Sequence, residues 1–155
     1  MALFRSGEIK EPGGLRPGWR DLKWGDAPTA AMELSHEAGE DSTYRLKGED
    51  LKLDGAPVEG IYYSYYQGRF SGVVVEISPN AADHVFKGLT ARWGKPSRPN
   101  AFIEDFFWEN KSHGVEATLA MFTRNPSTKA ATLAVQSKYI KAKRAIAQGK
   151  DPGRL

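Results

Sequence analysis

Few of the residues that move protons, hold metals or attack carbonyl groups stand close together in this 155-residue chain. Glu104 and Asp105 are adjacent, so on a strand they point to opposite faces and cannot act by themselves as a paired-carboxylate site. His36, His84 and His113 are isolated, and none stands in the HExxH or HxxxH spacing that brings two imidazoles onto one metal. His36 lies in SHEAGEDS, a polar loop where an imidazole beside carboxylates is better read as solvated than as a proton-transfer group. The chain has no cysteine, which excludes thiolate ligands, a Cys nucleophile and disulfides. GxSxG, GxxxxGK[ST] and GxGxxG are all missing, and the glycines stand instead at turns and caps. No catalytic, cofactor-binding or metal residue is assigned, no cofactor is expected, and the reading leans away from an enzyme.

Surfaces are the remaining candidates, and the most prominent belongs to Val58–Pro79, VEGIYYSYYQGRFSGVVVEISP, which reads as a β-hairpin. Ile61, Tyr63 and Tyr65 share one face of the first limb, and Val73, Val75 and Ile77 share one face of the second. A two-residue turn at Gln67-Gly68 would send these two sets to opposite sides. A three-residue loop of Tyr66, Gln67 and Gly68, with Gly68 left-handed, would pair Tyr65 with Arg69 and Ile61 with Val73 and align them. The three-residue loop is the expectation. The other face then carries Tyr62, Ser64, Tyr66, Phe70 and Val74, which is aromatic for a solvated surface. Either another part of the chain covers it, or it meets a partner through Tyr62, Tyr66 and Phe70.

The positioning elements follow in order. Residues 1–14 read as a flexible segment, and Asp26 and Pro28 predict a short helix through Met32 and Leu34. Thr43–Leu46 and Leu51–Leu53 are short strands, the second ending in an Asp54-Gly55 turn. Ser78 or Asn80 caps a helix whose apolar stripe is Ala82, Val85, Phe86, Leu89 and Trp93, stopped by Gly94 and Pro96; it is expected to pack on the hairpin. Ala101–Glu109, Val115–Thr123 and Lys129–Ser137 alternate as three meander strands, with Asn125-Pro126-Ser127 reversing the last pair. Tyr139–Gln148 is a helix with Tyr139, Ile140 and Ile146 on its apolar side and Lys141, Lys143 and Arg144 on the other.

Charge is uneven along the chain. From Lys138 onward there are six basic residues and one acidic, a balance of +5, which leaves −2 for the rest of a chain whose net charge is +3. Without a groove-reading motif this basic end implies no specific nucleic acid, and membrane contact is expected only through the C-terminal helix. No apolar run approaches the roughly 18 residues that span a bilayer. The opening MALFRSGEIKEPGG lacks an apolar leader core, so a cytoplasmic location is expected as written, with a periplasmic or envelope location the alternative if a signal segment is missing from the sequence.

Trp19-Arg20-Asp21-Leu22-Lys23-Trp24-Gly25-Asp26-Ala27-Pro28, the hairpin from Tyr62 to Phe70 and the cap Trp93-Gly94-Lys95-Pro96 together resemble a family of uncharacterised small bacterial envelope proteins. These have an FRxLKWG opening, and many are lipoproteins. The resemblance spans roughly Leu15 to Tyr139 and implies no activity. This chain lacks the signal and the lipobox cysteine of the lipoprotein members. The layout is also loosely similar to that of small outer-membrane assembly lipoproteins.

The expected architecture is α+β and two-layered: a curved antiparallel sheet of about five to seven strands backed by one main helix, with a short N-terminal and a C-terminal helix. Residues 15–148 form one domain and 149–155 a frayed tail. The expected function is a non-catalytic binding or interaction domain whose aromatic sheet face meets a protein partner or a second copy. The alternative is a small-ligand binder or enzyme with a pocket between sheet and helix, lined by Tyr63, Phe86 and Phe106.

Overall fold

The computed structural model describes residues 18–121 and 131–149. The expectations for 1–14, for the Asn125-Pro126-Ser127 reversal and for the tail from 150 lie outside these residues. In chain order the elements are β1 (Gly18–Trp19), β2 (Leu22–Lys23), β3 (Met32–Ala38), β4 (Asp41–Leu46), β5 (Lys52–Leu53), β6 (Ala56–Pro57), β7 (Gly60–Tyr66), β8 (Arg69–Ile77), α1 (Pro79–Trp93), β9 (Asp105–Asn110), a 3-10 turn (Lys111–His113), β10 (Val115–Met121), β11 (Ala131–Ser137) and α2 (Lys138–Ala147). Seven strands make one antiparallel sheet in the order β3-β4-β7-β8-β11-β10-β9, so the fold is α+β as expected. After β8 the chain crosses in α1 to the far edge, and the β9-β10-β11 meander returns to lie beside β8.

The central hairpin aligns its apolar sets by a different device from the expected loop. The turn is two residues, Gln67 at φ 52° and Gly68 at φ 74°, and Tyr66 pairs with Arg69. Both left-handed residues suit the right-handed twist of the strands they join. Such a turn alone would send Val73 and Val75 outward. A β-bulge corrects this: Tyr65 pairs with Phe70 but Ser64 pairs with Gly72, which leaves Ser71 as the extra residue. Ser71 Oγ donates to Ser64 O at 3.0 Å, closing the irregularity. Beyond it Tyr63 meets Val73 and Ile61 meets Val75, so both apolar sets face one way and are buried. The skipped residue comes after Phe70, which therefore turns inward rather than outward.

Two layers cover this inner face. Ala81, Ala82, Val85, Leu89 and Trp93 of α1 join the same core cluster as Ile61, Val75 and Ile77. Trp93 meets Trp108 edge-on at 5.5 Å, and Trp108 Nε1 donates to Gly94 O at 2.8 Å, fixing the end of α1 to β9. Near the hairpin tip the cover is N-terminal: Trp24 lies 4.8 Å from the Phe70 ring, and Tyr65 OH reaches Met32 Sδ at 2.9 Å. The Asp54-Gly55 turn forms as expected and presses on α1. Arg92 engages both Asp54 carboxylate oxygens, at 3.0 and 3.1 Å, and a Cβ on Gly88 would lie 2.8 Å from Asp54 Oδ2.

The short N-terminal helix is a correction: Met32 and Leu34 lie in β3. Their backbones pair with Leu46 and Tyr44, and Gly39 at φ 60° with Glu40 joins β3 to β4 in two residues. β4 needs a neighbour on its free side, and tertiary pairing overrides the local helical signal. SHEAGEDS is polar because it forms the edge of the sheet, not because it is a loop. The Ala101–Glu109 strand is also shorter than expected and begins at Asp105; Phe102 before it is 96% exposed.

Gly68→Val should cost about 1–2 kcal/mol in urea unfolding, since a β-branched residue resists positive φ. Ser71→Ala should cost about 1 kcal/mol for one hydrogen bond. Deleting Ser71 should abolish the cooperative thermal transition, because it reverses every side chain beyond the bulge.

Candidate functional site

Ser137 ends β11 and caps α2, its Oγ accepting from Ile140 N–H at 3.2 Å. The helix then lies on the outer face of the sheet in an inverted sense. Ile140 and Ala145 are buried, but Tyr139 and Ile146 are 75% and 64% exposed. Basic residues make the contact with the sheet: Lys138 with Glu109 on β9 at 2.8 Å, Lys141 with Glu116 on β10 at 2.6 Å, and Arg144 with Asp41 on β4. Glu116 also accepts from Gln136 Nε2 at 2.8 Å. The expected basic outer side thus consists of Lys143, because Lys141 and Arg144 are committed to the sheet. Ion pairs of this partly exposed kind contribute at most about 1 kcal/mol each, so α2 is held by several weak ties.

The three partner-binding candidates do not share a surface. Phe70 lies on the inner face, fully buried against Trp24 and Tyr65. Tyr66 is on the outer face but buried, with the Arg144 guanidinium 5.2 Å from its ring centre. Tyr62 is half-exposed under Arg45, 5.3 Å away. The space expected between α1 and the sheet is filled: Tyr63 is buried and Phe86 packs on Phe106 at 4.4 Å.

A concavity that the sequence does not announce lies where five segments meet, at the start of α2. Its volume is about 480 Å³. Trp24 and Gly25 come from the N-terminal segment, Arg69 from the hairpin tip, His113 and Gly114 from the β9–β10 turn, Ser137 from the end of β11, and Tyr139, Ile140 and Lys143 from α2. No carboxylate is among these lining side chains, and neither Arg69 nor Lys143 has an ion-pair partner among the described residues. Asn110 sets the His113 ring. Its Oδ1 accepts from Ser112 Oγ at 2.7 Å and from the His113 backbone N–H at 3.3 Å, so its Nδ2 donates to His113 Nδ1 at 3.1 Å and the ring proton sits on Nε2. Gly114, at φ 61°, turns the chain toward β10 and accepts from Lys138 N–H at 2.8 Å, tying the turn to α2.

Other polar groups have structural partners. His84 Nε2 lies 2.9 Å from Asp54 O, and His36 is exposed on β3 opposite Thr43. Glu49, with its side chain 5% exposed, accepts from Arg20 at 2.7 Å and from Tyr63 OH, while Arg20 also donates to Lys52 O. Burial first, and the Glu49 carboxylate second, push the Tyr63 phenol well above the usual tyrosine range. Burial, reinforced by Asp26, pushes Tyr65 up to about 12.

A phenol whose folded pKa exceeds its unfolded value of about 10 contributes stability that is fully present below pH 10 and lost as pH rises through the folded value. Unfolding free energy should therefore fall between about pH 10 and 12. Absorbance at 295 nm should show Tyr63 and Tyr65 among the tyrosines that ionise late, and Tyr65→Phe should flatten the alkaline slope. No family of known proteins, no curated protein and no solved structure matches the chain.

Proposed function

We propose that the chain is a non-catalytic binding domain and that the concavity at the start of α2 holds its ligand. One observation carries the reading: Arg69 and Lys143, with His113 beside them, line an apolar hollow of about 480 Å³, within the roughly 300–1,000 Å³ of small-molecule sites. The lining is suited to holding rather than transforming, because Ser137 Oγ already caps α2 and no carboxylate lines the hollow. The expected interaction role is retained while its place moves from the Tyr62, Tyr66 and Phe70 face to the end of the sheet.

A second reading, a protein partner or second copy, is favoured by the exposed Tyr139 and Ile146 on α2. Light scattering across a hundredfold concentration range should then show a rising mass that Ile146→Lys abolishes; a constant monomer mass excludes the second copy.

For the main reading, a fragment library of neutral, cationic and anionic compounds should produce saturable amide shifts in 1H–15N spectra clustered at Gly25, Gly114 and Ser137–Ile140. If compounds of every class leave that cluster unmoved, the reading is wrong.

A further inference from the structure

We infer that the ligand is a compact organic anion, apolar at one end and bearing a carboxylate or phosphate at the other; the inference rests on the reading of the concavity as a binding site. The starting point is the charges that line the cavity. Arg20, Lys87, Arg92, Lys138, Lys141 and Arg144 each stand within ion-pair distance of a carboxylate. Arg69 and Lys143 do not, as several other exposed cations do not, but these two line one cavity and no carboxylate lines it with them. Two like charges lining one cavity repel each other, and an anion seated between Arg69 and Lys143 relieves that repulsion.

The rest of the lining sets the shape of the guest. Trp24, Tyr139 and Ile140 provide ring and aliphatic surface, so a bare inorganic ion would leave that surface unused. The polar groups arise from ordered places. Arg69 follows the tight Gln67-Gly68 turn, Lys143 is on a capped helix, and His113 is oriented by Asn110. An arginine fork accepts either a carboxylate or a phosphate in two parallel hydrogen bonds, which is why both headgroups belong to the proposal.

Four probes added to the full chain test it, read by Trp fluorescence and by the same amide cluster: 2-naphthoate, 2-naphthyl phosphate, the neutral 2-naphthamide and inorganic phosphate. At least one naphthyl anion should bind saturably and at least tenfold more tightly than the amide. Its affinity should fall about tenfold in Arg69→Gln and in Lys143→Gln, and also fall with added salt. Tighter binding of the carboxylate or of the phosphate ester identifies the headgroup. Unchanged thermal melts of both variants, whose replaced side chains are exposed, would show that the fold is kept. Equal or tighter binding of the amide overturns the anion, and equal binding of inorganic phosphate overturns the apolar body. If neither naphthyl anion binds while neutral or cationic fragments move the cluster, the inference fails and the binding-domain reading stands. If no compound of any class moves it, both fail.

Discussion

Strand alternation is the constraint from which the structure follows. In a β-strand the side of each residue is settled by counting, so one residue more or less between two points exchanges inside for outside. β7 and β8 carry apolar sets whose count is out of step with a two-residue turn, and the misfit is absorbed at Ser71. Its position in the strand decides the rest. The bulge follows Phe70, so that ring closes the inner face under Trp24, whereas Arg69 and Tyr66 stay on the outer side where α2 lies. An odd loop would have aligned the same valines and put Phe70 in the place of a surface aromatic.

The two faces of the sheet are covered by different physics. The inner face meets α1 and the N-terminal tryptophans through continuous apolar contact, and it supplies most of the buried core. The outer face meets α2 through Ile140, Ala145 and a row of basic residues paired with Glu109, Glu116 and Asp41. Apolar contact is indifferent to orientation, but charge pairs fix which residue of the helix lies over which strand. That placement leaves Tyr139 and Lys143 facing the hollow beside Arg69 and His113. The two free edges are treated separately as well. β3 carries a register break between Leu34 and His36 along with exposed Glu33 and Glu37, and β9 is capped where Ser97 exchanges both backbone bonds with Phe107.

Much of the fold was legible in the sequence because its signals were periodic and local. The α1 stripe, the Asp54-Gly55 turn, the meander strands and the buried sets of the hairpin all follow from spacing alone. What escaped was decided at a distance. β3 reads as a capped helix until β4 is there to pair with it, and the side of Phe70 depends on a bulge that leaves no mark in composition. The inversion of α2 was hidden because a helical wheel counts apolar residues without knowing that Glu116 and Asp41 wait on the sheet. The hollow was out of reach for the same reason: its lining comes from five stretches spread between Trp24 and Lys143, each unremarkable alone. A weak signal existed in the polar side chains near the turns, at Arg69 and His113, but nothing local joined them to Lys143.

The bond between Asp41 and Arg144 joins positions 103 apart in the chain, and α2 follows every other described element in chain order. The sheet order already requires β11 to slot in beside β8, so the platform itself is finished late and the helix that walls the hollow later still. During synthesis the hollow therefore lacks one of its walls until α2 has emerged, which ties its shape to completion of the fold.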